Sequence, residues 1–167
     1  MASIALDPAW TPFFETAAEA SAGLVGLVIV AVSVNIRPIL DSPQLPSRAG
    51  ATIGSMVLIM IGSLAALIPQ PLAAWGGEVL GFATVIWLQH LLTARSVLRA
   101  WRTNPQPMRE IIPAISLGQL QTIPYLIGAV MVLTGSATGV YWIVGGMIAT
   151  LAFGVFSAWV LLVEILR

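Results

Sequence analysis

Few side chains in this chain are of types that do chemistry, and most of those sit inside apolar stretches. His90 is the single histidine, preceded by Gln89, and a later stretch carries Gln119 and Gln121. At 1.5 Å per helical residue, His90 lies about 10 Å inside the nearer membrane boundary. The two later glutamines lie about 12 to 15 Å inside it. Gln89, His90, Gln119 and Gln121 are therefore expected to form one polar layer between two membrane helices. Such a layer is either a packing register held by interhelical hydrogen bonds or a hydrated path in which histidine relays a proton. The register is the preferred reading. A lone histidine argues against haem or zinc unless two chains each supply one. The absence of cysteine removes disulfides, thiolate sites and a cysteine nucleophile.

Charged residues form two further groups. Glu15, Glu19, Ala22, Gly26 and Ser33 share one helical face, as do Glu78, Phe82, Val85, Gln89, Thr93 and Ser96. Glu19 and Glu78 fall near helix starts, where the macrodipole favours negative charge; the alternative is an acidic outer mouth for protons or cations. Arg95, Arg99 and Arg102 make an i, i+4, i+7 stripe where a helix leaves the membrane, suited to anionic lipid phosphates. Asp41, Glu110 and Glu164 compete as internal partners. No phosphate-cradling glycine loop, nucleophile elbow, HExxH motif or catalytic carboxylate pair occurs in the sequence. The chain is therefore expected to be non-enzymatic, with no cofactor, no metal and no nucleic-acid partner.

The elements that position these groups follow from composition. The chain is 58% hydrophobic and 8% charged, with a mean hydropathy of +0.96. An ordinary soluble domain has about 25% charged residues. The expected fold is an all-α polytopic bundle forming one domain over residues 1–167. Its spans fall at about 15–36, 49–68, 74–100, 111–133 and 140–166, each meeting the roughly 20 residues that a bilayer requires. Trp10, Phe13 and Phe14 suit the headgroup region, and RPILDSPQLPSR is a proline-punctuated loop. No secretory signal is evident, since Met1 to Trp10 lacks a basic segment. All seven basic residues are arginines, in the first and third loops or at the C-terminus. The positive-inside rule then gives five spans with the N-terminus outside and the C-terminus cytoplasmic.

The stretch EIIPAISLGQLQTIPYLIGAVMVL is expected to be the central helix. Ser116, Gln119 and Thr122 lie on one side of it, and Gly118, Gln121, Tyr125 and Gly128 lie near the other. A helix polar on two faces should be wrapped by others, and Pro124 frees the carbonyl of Leu120. Small residues recur at every fourth position: Gly146, Thr150, Gly154 and Ala158; Gly50 and Gly54; Gly62 and Ala66; Gly77 and Gly81. They suit close helix packing, within one chain by preference, or self-association through the last helix.

The run FFETAAEASAGLVGLVIVAVSVNIRPIL with the later LPSRAG resembles a group of small, uncharacterised bacterial integral membrane proteins. That group shares a first span reading roughly ALxGLxFVAVSxNL and a loop ending LPxRA. The resemblance covers about Trp10 to Trp101 and implies a bacterial cytoplasmic membrane location, with no activity attached. Two function classes follow: an accessory or self-associating membrane subunit, and a small oligomeric channel or transporter for protons or cations.

Overall fold

The computed structural model describes residues 5–41, 45–103 and 108–159. A 3-10 turn, Pro8–Trp10, leads into α1 (Thr11–Val34), α2 (Ile36–Asp41), α3 (Leu45–Ala66), α4 (Leu72–Thr103), α5 (Met108–Leu133) and α6 (Gly139–Trp159). All but α2 contain a stretch long and apolar enough to cross a bilayer. Only 28–44% of each such stretch is buried, and the large side chains left exposed are apolar: Val34, Leu64, Val85, Leu120 and Ile148 among them. That outward apolar belt is what lipid demands of a bundle with internally bonded backbones.

Several boundaries differ from expectation, with physical reasons. The side chain of Asp7 accepts from Ala9 N at 2.9 Å, so helical structure begins before the expected start at residue 15. Glu19 therefore sits in the third turn of α1, and Glu78 in the second turn of α4. Neither helix has an acid in its first turn, so the macrodipole explanation fails for both. Phe14 is fully buried against Trp75, with ring centroids 5.5 Å apart, and is a core residue rather than a headgroup anchor. Trp10 contacts Tyr141 of α6 edge-on at 5.1 Å. The proline-rich first loop holds the short helix α2, and α3 starts at Leu45, earlier than the expected 49. Residues 160–166 of the expected last span lie outside the described residues, as do Glu164 and Arg167.

The central helix is α3, not α5. Among the described residues α3 touches every other helix, whereas α5 packs mainly between α4 and α6 and does not touch α1. Ile112, Leu120, Ile123, Ile127 and Val130 of α5 are exposed along one outward face. Wheel polarity misleads here because the hydroxyls bond to their own helix. Ser116 donates to the Ile112 carbonyl at 2.8 Å, and Thr122 donates to the Gly118 carbonyl at 2.9 Å. Only the two glutamines and Tyr125 need outside partners. Helix α5 runs unbroken through Pro124. It ends in a Schellman turn: Ser136 N donates to the Met131 carbonyl (2.9 Å) and Gly135 N to the Val132 carbonyl (3.0 Å). Gly135 takes the left-handed conformation this requires (φ 89°).

Helices α3, α4, α5 and α6 thus form a four-membered ring closed by α3–α6 contacts, with α1 lying against α3 and α6. At the arginine-free end the ring is filled by Trp75, Val79, Val132, Val140 and Ile143. The Trp75 indole donates to the Gly62 carbonyl at 2.9 Å. The small-residue stripe of α6 is consumed inside the protomer. Gly146 lies against Tyr125, Gly154 against Met56, and Thr150 accepts a long bond (3.4 Å) from the Tyr125 hydroxyl. Gly77 and Gly81, by contrast, face open space.

Candidate functional site: a polar cleft at the arginine-bearing end

Arg37, Arg48, Arg95, Arg99 and Arg102 mark one end of the bundle, and the polar interior residues lie nearest that end. The antiparallel pairing of α3 and α4 brings them together. Thr93 gives its proton to the Gln89 carbonyl at 3.0 Å, so Ser47 donates to the Thr93 hydroxyl, 2.8 Å away. Deeper in, Ser55 Oγ lies 2.9 Å from His90 Nε2. Ser55 also donates to the Ala51 carbonyl at 3.0 Å. With its proton engaged, Ser55 accepts from His90, which fixes the imidazole as the Nε2–H tautomer.

The other side of the His90 ring lies on α5 at Gly118. A Cβ at residue 118 would come within 2.6 Å of His90 Nδ1, so only glycine admits the ring there. His90 is thereby clamped between α3 and α5. One turn earlier on α4, the Trp87 indole donates to Gln119 Oε1 at 2.8 Å, a second α4–α5 bond. Gln89 points the other way, into the gap left by Gly50 and Gly54 of α3; a Cβ at residue 54 would lie 2.9 Å from Gln89 Oε1.

The four expected layer residues are therefore divided among three interfaces. Gln89 meets α3, His90 bridges α3 and α5, and Gln119 is held by Trp87. Gln121 lines, together with one side of His90, a cleft of about 80 Å³ between α3, α4, α5 and α6. One water needs about 10–15 Å³ on this measure, so the cleft has room for several waters or one small polyatomic group. Arg48, Thr52, His90, Thr93, Gln121 and Ser157 supply its polar walls. Along each helix, the lining residues farthest from the arginine-bearing end are Met56, His90, Gln121 and Phe153. The layer beyond, Ile59, Ala83, Tyr125 and Met147, is at most 1% exposed, so the cleft ends near mid-bundle.

The outer acidic residues do not converge. Glu19 and Glu78 are both exposed, α1 and α4 meet through the buried Phe14–Trp75 pair and not through these acids, and Glu78 accepts from Gln70 Nε2 at 3.0 Å. Arg95, Arg99 and Arg102 are exposed at the end of α4. No group of three histidine, aspartate or glutamate side chains suited to a metal ion occurs among the described residues.

Ser55, Trp87, Arg48 and Ser157 were not singled out by sequence. For Ser55 no sequence signal existed, because the α3–α4 pairing that brings it to His90 is set by tertiary contacts such as Ser47–Thr93 and Trp75–Gly62. Comparison with protein-family models, with curated proteins and with solved structures returns no match.

Proposed function

We propose that this chain is a non-enzymatic integral membrane subunit that takes a ligand or partner group into a one-ended polar cleft. It is accessory to a membrane complex or to further copies of itself. The observation that carries this reading is the cleft's depth. Polar lining extends from Arg48 to Gln121 and then meets the buried layer of Ile59, Ala83, Tyr125 and Met147. A blind cleft suits binding, whereas conduction requires a continuous hydrated route. The exposed Gly77 and Gly81 of α4 offer a lipid-facing strip where another helix backbone could approach.

Arginine asymmetry supports an N-terminus outside and the cleft opening to the cytoplasm. The resemblance of the first three spans to small bacterial membrane proteins supports a bacterial cytoplasmic membrane. Surrounding lipid is the remaining partner, contacted by Arg95, Arg99 and Arg102. Native mass in mild detergent, paired with proton and potassium flux in proteoliposomes at two pH values, tests the proposal. A defined assembly with flux no greater than in empty vesicles is expected. Flux from the wild-type chain would contradict it in favour of a channel.

A further inference from the structure

We infer that the cleft between α3, α4, α5 and α6 is an oxyanion site that takes a phosphate group, with Arg48 supplying the charge and Gln121 and Ser157 the hydrogen bonds. The inference rests on the binding reading above and names its ligand class.

The donor inventory carries it. Thr52 and Thr93 already give their protons to the carbonyls of Arg48 and Gln89, at 3.1 and 3.0 Å. Arg48, Gln121 and Ser157 have no side-chain hydrogen bond or ion pair among the described residues, and they come from three different helices. Together they present a guanidinium fork, an amide NH2 and a hydroxyl to one small volume. His90, held by Ser55 and Gly118, adds a further polar wall.

Among the described residues no carboxylate lines the cleft. A metal cation would need oxygen ligands of negative character, and the charged side chain in the described lining is the cation Arg48. Arginine paired with neutral donors matches a phosphate, whose oxygens accept several bonds at once. The exposed Arg48 in the cleft's lining lies at the same end as Arg95 and Arg102, the end the positive-inside rule assigns to the cytoplasmic headgroups. A phosphate there comes either from a lipid headgroup or from solution, and the shared chemistry is the same.

The lone histidine is a built-in reporter, because nitrogen-15 histidine labelling yields one imidazole. The full chain in phosphate-free maltoside micelles is titrated with inorganic phosphate and, separately, with phosphatidylglycerol, with sodium chloride matching ionic strength. A saturable shift of the His90 nitrogens is expected with at least one of these, absent with sodium chloride. Arg48→Gln should raise the half-saturation concentration by about tenfold or more, with the starting spectrum unchanged. A response to phosphatidylglycerol alone identifies a headgroup, and a response to inorganic phosphate alone identifies a soluble anion. No response to either, or one that Arg48→Gln leaves unchanged, overturns the inference. Reaction of Ser157→Cys with a water-soluble thiol reagent separates the two levels. If that cysteine reacts while phosphate does nothing, the cleft stands and only its ligand class falls.

Discussion

Ser55 and His90, 2.9 Å apart across the α3–α4 interface, hold the one imidazole of the chain in a fixed tautomer against the backbone of Gly118. Three helices are tied by a single ring. Ser55→Ala removes the acceptor and leaves the imidazole N–H unpaired. Interhelical bonds in membranes average about 0.6 kcal/mol, so the expected loss is modest, on the order of 1 kcal/mol. Reversible denaturation in mixed micelles reads it. A loss equal to that of a surface change such as Thr134→Ala would show that the bond holds nothing together.

Gly118 is the other half of the clamp. Gly118→Ala brings a methyl into the imidazole and should destabilise by about 1–3 kcal/mol, the usual range for overpacking. His90→Ala removes the obstacle, so the double variant should recover most of that loss. Simple additivity of the two changes would place the ring elsewhere.

The helices of the bundle were legible because apolar stretches of about 20 residues leave little choice of element. The centre of the bundle was not legible, because polarity on a helical wheel does not reveal which groups satisfy themselves. Ser116 and Thr122 bond to their own backbone and impose nothing on their neighbours, whereas Ser55, in an unremarkable apolar run, fixes the α3–α4 register. Glu19 and Glu78 lie beyond the first turns because the Asp7-capped 3-10 turn leads into α1 at Thr11, and α4 starts at Leu72. His90, Gln119 and Gln121 are half-buried between helices. Their division among separate interfaces depends on helix rotation, which Gly50, Gly54 and Gly118 decide through steric fit.

Glycines at fourfold spacing have two fates here, and substitution separates them. Gly154→Leu would drive a side chain into Met56 and should unfold or strongly destabilise the protomer without a distinct change of assembly. Gly77→Leu faces open space and should leave the protomer intact. If copies meet through α4, Gly77→Leu lowers the native mass. An unchanged mass moves the contact to another face.

Orientation is tested with cysteines, since the chain has none of its own. Ser136→Cys and Ala73→Cys should react with an impermeant reagent in intact cells, and Asp41→Cys and Arg102→Cys only after permeabilisation. The opposite pattern would reverse the bundle in the membrane.

The central claim is that water enters the bundle from the arginine-bearing end and stops near its middle. Single cysteines along the inward face of α5, at Leu117, Gln121, Ala129 and Val132, measure this directly in oriented proteoliposomes. A soluble thiol reagent should label Leu117 and Gln121 positions from the arginine-bearing side only. Positions 129 and 132, now buried to 0% and 2% exposure, should remain unlabelled from either side. Labelling at 129 or 132, or labelling at 121 from both sides, would mean a route through the bundle and would contradict the account.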